Sequence, residues 1–108
     1  MERIEVVRKA GLTKGGSTAG IVRQKAFESP GVLVSRSTIP GGSVSAWHHH
    51  GARRIFGYVV SGKLRLEVTA SSKGSTDVAA GDFFLIPAGL VHRDVNPGRR
   101  EQAVIVNV

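Results

Sequence analysis

Short runs rich in valine, isoleucine and phenylalanine alternate with glycine- and proline-containing turns along most of this chain. Runs of four to eight such residues between turn-forming residues are typical of β-strands. Eight of them occur, at 21–28, 32–39, 43–50, 55–60, 63–69, 82–86, 91–95 and 102–108. We find no amphipathic helical pattern, so the sequence predicts an all-β sandwich or barrel.

The run KLRLEV, at residues 63–68, shows the strand pattern most clearly. Three charged side chains alternate with three apolar ones, as a half-buried antiparallel strand requires. The charged face holds Lys63, Arg65 and Glu67, and the apolar face holds Leu64, Leu66 and Val68. We expect the first face to be solvated and the second to be buried.

The length of 108 residues predicts one domain spanning 1–108, with the polar, glycine-rich residues 1–20 as an N-terminal arm or edge strand. There is no cysteine, which excludes disulfides and zinc–thiolate sites. The N-terminal stretch MERIEVVRKAGLTKGG contains no apolar h-region, and no run approaches 18 apolar residues. We therefore expect a cytoplasmic protein with no membrane partner.

The net charge of +7 raises the question of a nucleic-acid partner. However, the 15 lysines and arginines are spread along the chain, and the longest basic runs are pairs. A solvated basic surface explains this distribution better than a nucleic-acid site does. The charge still favours small anionic ligands through general attraction.

Three of the four histidines stand in a row, in the stretch SVSAWHHH at residues 43–50. On a strand, His48 and His50 share one face with Val44 and Ala46, whereas His49 faces the other way. Because Val44 and Ala46 are small and apolar, we expect their face to be the interior. Two imidazoles at this spacing can converge on one metal ion. A hydrogen-bonded buried pair and a surface run of histidines are the alternatives.

The fourth histidine, His92, lies in a second glycine-bounded stretch, GDFFLIPAGLVHRDVN. This stretch resembles the second motif of the cupin family, G-x5-P-x-G-x2-H-x3-N, at Gly81, Pro87, Gly89, His92 and Asn96. The first stretch resembles the first cupin motif, G-x5-H-x-H-x3,4-E-x6-G, at Gly42, His48, His50 and Gly62. The two motifs span residues 42–96. The resemblance implies a small double-stranded β-helix (jelly-roll) cupin barrel in which His48, His50 and His92 bind a divalent transition metal.

The chain departs from the family pattern at the motif glutamate, which is a further metal ligand. The spacing places this position at Ile55, or at Arg54 if the strand contains a one-residue bulge. Neither side chain can bind a metal, so the site is either three neutral imidazoles plus water or metal-free. Glu67 could substitute, but it falls on the face that we expect to be solvated.

A divalent ion held by three neutral ligands keeps a formal charge of +2, which suits a small anionic substrate. Imidazole ligands suit Fe, Mn, Ni, Zn or Cu. The resemblance implies a metal-dependent enzyme of the oxygenase or isomerase type. The alternative is a non-catalytic cupin that binds or senses a small ligand. We place Ile55, Arg54 and Tyr58 at the substrate pocket, although packing is the more ordinary role for Tyr58, and we assign no catalytic residue.

A small barrel with an N-terminal arm has a sheet edge to cover. We therefore expect a homodimer in which the strand at 21–28 pairs across the two subunits.

Overall fold

Nine strands form two antiparallel sheets in the computed structural model, which describes residues 2–68 and 72–108. The strands are β1 (Thr13–Lys14), β2 (Val22–Ser29), β3 (Val32–Ile39), β4 (Ile55–Ser61), β5 (Lys63–Glu67), β6 (Ser75–Ala79), β7 (Phe83–Ile86), β8 (Arg93–Val95) and β9 (Ala103–Asn107). Short 3-10 turns lie at Lys9–Gly11 and Ser72–Gly74. The prediction of an all-β fold is confirmed.

The larger sheet has the strand order β1-β2-β3-β9-β4-β7, and the smaller one has the order β6-β5-β8. Side chains from both sheets meet in one apolar core. Its buried members are Ile21, Ile39, Val59, Leu64, Ala103 and Ile105, with Leu66, Val78 and Phe84 packed against them. Strand alternation explains this core, because every second residue of β4 and β9 faces the opposite sheet.

Most predicted strands are present, with ends that differ by one or two residues. The strand predicted at 63–69 ends at Glu67, and Thr69 lies outside the described residues. Strand β6 was not predicted, because its sequence STDVA follows a serine-rich stretch that is typical of a turn. Within residues 1–20, β1 pairs with β2 at the edge of the larger sheet.

Residues 43–50 do not form the regular strand that the sequence predicts. The Ser45 amide donates to the Asp94 carbonyl at 2.8 Å, and the His48 amide donates to the His92 carbonyl at 2.8 Å. Two residues between the paired positions on one side thus lie opposite a single residue on the other, which is the signature of a β-bulge. Pairing across the bulge is limited to isolated bridges, including the one between His48 and His92.

The bulge reverses the predicted facing of the residues before it. Val44 is 51% exposed and Ala46 is also exposed, so the prediction that these two side chains mark the interior was wrong. Ser45, which is 4% exposed, takes the inward position instead. The extra residue then restores the inward direction for His48 and His50. Their predicted common face is therefore correct, although the apolar neighbours used to orient it are not inside.

Asn96, the last residue of the second motif, ties three segments together. Its side chain is buried, and its Nδ2 donates to the carbonyls of Ile39 at 2.9 Å and Glu101 at 2.8 Å. Its Oδ1 accepts the Gly98 amide at 2.9 Å. These bonds connect the ends of β3 and β8 to the loop before β9, so the motif asparagine has a structural role in this chain.

Gly62 shows why the first motif ends in glycine. It joins β4 to β5 with φ of 82°, a conformation that residues with a Cβ rarely adopt. A Cβ at this position would lie 2.5 Å from the Gln102 carbonyl oxygen, a backbone atom that cannot move aside. The turn that places the two sheets against each other therefore requires glycine.

Candidate metal centre

His48, His50 and His92 converge on one point between the sheets. The ring centroids are 5.3 Å apart for His48 and His50, 4.3 Å for His48 and His92, and 5.2 Å for His50 and His92. Each ring offers one nitrogen, and these three nitrogens all lie within 4.8 Å of one another. His92 is 2% exposed, while His48 and His50 are half-buried and open toward solvent.

In two of these rings, a backbone carbonyl determines which nitrogen carries the hydrogen and which keeps its lone pair. The Nδ1 atom of His48 lies 2.8 Å from the Ala46 carbonyl, and that of His92 lies 2.9 Å from the Leu90 carbonyl. A carbonyl can only accept, so Nδ1 carries the hydrogen and Nε2 keeps its lone pair in the neutral ring. This arrangement orients a histidine ring for metal binding.

Burial favours the neutral form of His48 and His50. It lowers the pKa of His50 to about 4, with further lowering by the charges of His92 and Arg23. Burial also lowers the pKa of His48. Because neutral imidazole is the form that binds metals, both groups are ready to bind an ion at neutral pH. The donor set therefore fits a divalent transition metal.

We expect the free energy of unfolding of the metal-free protein to fall as the pH is lowered from about 6.5 to about 4. The folded pKa of His50 is below its unfolded value, so the unfolded chain takes up more protons across this window. The substitution His50→Asn should make the pH profile flatter. Urea denaturation at a series of pH values measures this.

The comparison of native protein with His50→Asn isolates the histidine, since other groups titrate in both proteins. His48 contributes in the same direction, and Asp94, whose pKa is raised by burial, contributes in the opposite one. Identical pH profiles for native protein and variant would contradict the assignment.

His49 lies outside the cluster, as the strand pattern predicts. It is exposed, and its Nδ1 accepts the Gly51 amide at 3.0 Å. Trp47, before the histidine row, is covered by Arg93, whose guanidinium carbon lies 4.6 Å from the centre of the indole ring. Only the second and fourth residues of the stretch WHHH thus face the site.

The half-buried histidines open on a cleft of about 910 Å³. Five basic residues line it, against the single acidic Glu28: Lys14, Arg23, Lys25, Arg53 and Arg54. A second cavity, of about 20 Å³, lies deeper and is lined by His50, His92, Arg23 and Asp94 together with core residues. This is room for about one water molecule or ion. The site is therefore a small inner cavity beside a larger basic cleft.

Arg23 lies on β2 beside the histidines and was not predicted as a site residue. Its guanidinium is 3.4 Å from the Nε2 of His48, and it also donates to the Thr18 hydroxyl. Burial lowers its pKa, and the nearby Asp94 charge opposes that shift. One sequence signal was available: Arg23 is two residues from Ile21, which is buried, so a charge falls on the inward side.

Asp94 is the second residue that the sequence analysis did not identify. It is 8% exposed, and its Oδ1 lies 3.8 Å from the Nε2 of His92. Burial raises its pKa, while the charges of His48, His92 and Arg23 lower it. Its position two residues after His92, and thus on the same strand face, was the available signal.

The predicted pocket residues lie at different depths. Ile55 lines the inner cavity beside His50 and pairs in register with Ile86 of β7. Arg54 is exposed and lines the outer cleft, with its guanidinium 5.8 Å from the Phe56 ring. Tyr58 is not among the residues that line these two cavities, and its ring packs against Phe83 at 4.6 Å.

Glu67, the carboxylate considered as a substitute ligand, is held elsewhere. It accepts the Arg93 Nε at 2.6 Å and is largely buried, so the prediction of a solvated side chain was wrong. This ion pair joins β5 to β8 on the smaller sheet. Among the described residues, no helix is long and apolar enough to cross a membrane.

A family model described as the cupin domain matches residues 35–108, which include all three clustered histidines. The chain belongs to the cupin family. The resemblance of the two motifs is thereby confirmed. Solved structures share the fold: KdgF from Halomonas sp. superposes with a TM-score of 0.72 over 97% of this chain and 93% of that chain, at 19% identity.

Curated relatives of this cupin include oxalate oxidase GF-2.8 from Triticum aestivum, which is 29% identical over 92% of this chain and 49% of the relative. Germin-like protein 3-7 from Oryza sativa subsp. japonica is 30% identical over 82% of this chain and 43% of its own length. The chain thus spans about half the length of the curated relatives it matches. A solved oxalate oxidase structure has a TM-score of 0.68 and 26% identity, over 88% of this chain and 54% of that chain.

Proposed function

We propose that this cupin binds one divalent transition metal through His48, His50 and His92 and acts on a small carboxylate. The observation that carries the proposal is the convergence of three imidazole nitrogens beside a cleft lined by five basic residues. In two of the three rings a backbone carbonyl holds Nδ1, so Nε2 is the nitrogen that carries the lone pair. Such preorganisation is what a metal site requires.

The ligand types favour Fe, Mn, Ni, Zn or Cu over Mg or Ca, since imidazole is a poor ligand for the latter two. When bound, such an ion polarises a coordinated carboxylate and, if redox-active, supports oxygenase-type chemistry. An isomerase-type reaction needs the polarisation alone. The half-buried His48 and His50 leave the cleft side of the site open to a substrate.

The charge around the site selects an anion. Arg23 presents its guanidinium beside His48, and a planar guanidinium can donate two parallel hydrogen bonds to a carboxylate. Arg53 and Arg54 add positive charge at the rim of the cleft. Several of the matched relatives are named oxalate oxidases, which makes oxalate the first carboxylate to test.

The test is metal analysis of the purified protein, followed by titration of the Mn(II), Fe(II) and Zn(II) forms with oxalate and other small carboxylates. Oxygen uptake and product formation are then measured. We expect one ion per chain and carboxylate binding that depends on that ion. Binding without turnover would favour the non-catalytic alternative, and the absence of stoichiometric metal would overturn the proposal.

We also propose a homodimer, but through a different surface from the one the sequence indicates. Strand β2 already lies between β1 and β3 in the sheet. The edge strand β7 instead exposes Phe83, which is 79% exposed, beside Leu85 and the facing Phe56 of β4. A contiguous apolar surface of this kind marks an interface.

Solution scattering at micromolar concentration should therefore give a dimer mass, and Phe83→Asp should give a monomer mass. Phe27→Asp on β2 is the control, since it introduces the same charge on the strand that the sequence indicates as the interface. A native monomer, or a dimer broken by Phe27→Asp alone, would contradict the β7 interface.

A further inference from the structure

Two buried lone-pair atoms face each other beside the histidine cluster. The Nε2 of His92 and the Oδ1 of Asp94 are 3.8 Å apart, and neither has a hydrogen-bond partner among the residues that the structure describes. The Nδ1 of His92 holds its hydrogen toward the Leu90 carbonyl, so Nε2 of the neutral ring is an acceptor. Two buried acceptors without a cation or proton between them are unfavourable.

From this geometry we infer that Asp94 is a metal ligand and takes the place of the glutamate that the first cupin motif lacks at Ile55. The inference rests on the proposed metal site and names its fourth protein ligand. It places the carboxylate on β8, two residues after His92, instead of at the start of β4. The chain therefore lacks the motif glutamate, but its site still contains a carboxylate, that of Asp94.

The distance agrees with shared coordination. Two donor atoms that are each about 2.1 Å from one ion lie roughly 3.0 to 4.2 Å apart as the angle at the ion opens from a right angle to a straight line. The separation of 3.8 Å between the His92 and Asp94 atoms falls inside this interval. The inner cavity of about 20 Å³, which both residues line together with His50, has room for about one ion.

The backbone holds Asp94 in place independently of any ion. Its amide donates to the Ser45 hydroxyl at 2.8 Å, and its carbonyl accepts the Ser45 amide at 2.8 Å. Ser45 is turned inward by the same bulge that orients His48. The backbone that carries the carboxylate is therefore fixed beside the histidines, as a rigid metal site requires.

The charge balance remains compatible with an anionic substrate. An aspartate ligand lowers the formal charge of a divalent site from +2 to +1, as the motif glutamate would. Arg23 lies close enough to interact with the Asp94 charge. Its positive charge offsets the carboxylate, so the region that faces the cleft remains cationic.

The test is a Co(II) and Zn(II) titration of the native protein and of Asp94→Asn, which keeps the shape and removes the charge. We expect affinity to fall at least about tenfold and the visible Co(II) bands to change, because the ligand set changes. Asp77→Asn is the matched control, since it removes a surface carboxylate that pairs with Arg65. It should leave affinity and spectrum unchanged.

Several outcomes would overturn the assignment. Unchanged Zn(II) affinity and an unchanged Co(II) spectrum in Asp94→Asn would do so while leaving the three-histidine site intact. Weaker binding with an unchanged spectrum would make Asp94 an outer partner of His92 and not a ligand. If Asp94→Asn does not fold, infrared difference spectra of native protein with and without Zn(II) decide, since a bound carboxylate shifts its stretching bands. Native protein that binds neither metal would overturn the proposed function itself.

Discussion

Replacing His92 with alanine is expected to abolish stoichiometric binding of divalent metal. His92 contributes the most deeply buried of the three clustered nitrogens, and it lies between His48, His50 and Asp94. Without it, two half-exposed imidazoles remain, and their affinity for an ion should be lower by at least about 100-fold, or nearly 3 kcal/mol. Metal content after purification and calorimetric titration with Zn(II) measure the loss.

His49→Ala is the matched control for this experiment. It removes a neighbouring histidine whose ring lies outside the cluster, so metal content and affinity should equal those of the native protein. Removing the buried His92 ring also leaves a cavity, and circular dichroism and thermal melting must show that the variant is folded. A folded His92→Ala protein that binds metal as tightly as the native one would contradict the site.

The histidine cluster could be predicted from sequence because strand geometry and motif spacing agree about it. His48 and His50 share a face whatever happens before them, since the two-residue alternation holds locally. The orientation of that face was inferred from Val44 and Ala46, which the structure places outside. The bulge that separates Val44 and Ala46 from His48 and His50 depends on hydrogen bonds to β8. Because β8 is distant in the sequence, no local pattern predicts the bulge.

Arg23 and Asp94 could not be predicted from the motifs, because neither occupies a fixed motif position. Both are charged residues at inward positions of strands, and each is meaningful only beside the histidines that the fold brings near. Local patterns assign charged residues to the solvated face. Strand β6 was not predicted for a related reason. Serine, threonine and aspartate are typical of turns, but pairing with β5 outweighs that preference.

The second large effect on metal affinity is expected at Ile55, the position of the missing motif glutamate. Ile55 is half-buried and lines the inner cavity beside His50, whereas Arg54 is exposed at the outer cleft. Ile55→Glu therefore adds a carboxylate where a metal ligand can act, and we expect divalent affinity to rise by at least about tenfold, roughly 1.4 kcal/mol. The variant should be less stable without metal, because a carboxylate replaces an apolar side chain. Its melting temperature should consequently rise more on metal addition than that of the native protein.

Arg54→Glu is the control that separates ligand addition from a change in overall charge. It alters the charge of the cleft more than Ile55→Glu does, yet it should leave metal affinity nearly unchanged and should weaken oxalate binding instead.

The double variant Asp94→Asn with Ile55→Glu adds a sharper comparison. If both positions can supply a carboxylate to one ion, Ile55→Glu should restore the metal affinity that Asp94→Asn loses, and the two effects should not be additive. Calorimetric titration of the four proteins gives this coupling. If neither glutamate variant changes metal affinity, residues 51–57 do not approach the ion, and the proposed three-histidine pocket is wrong.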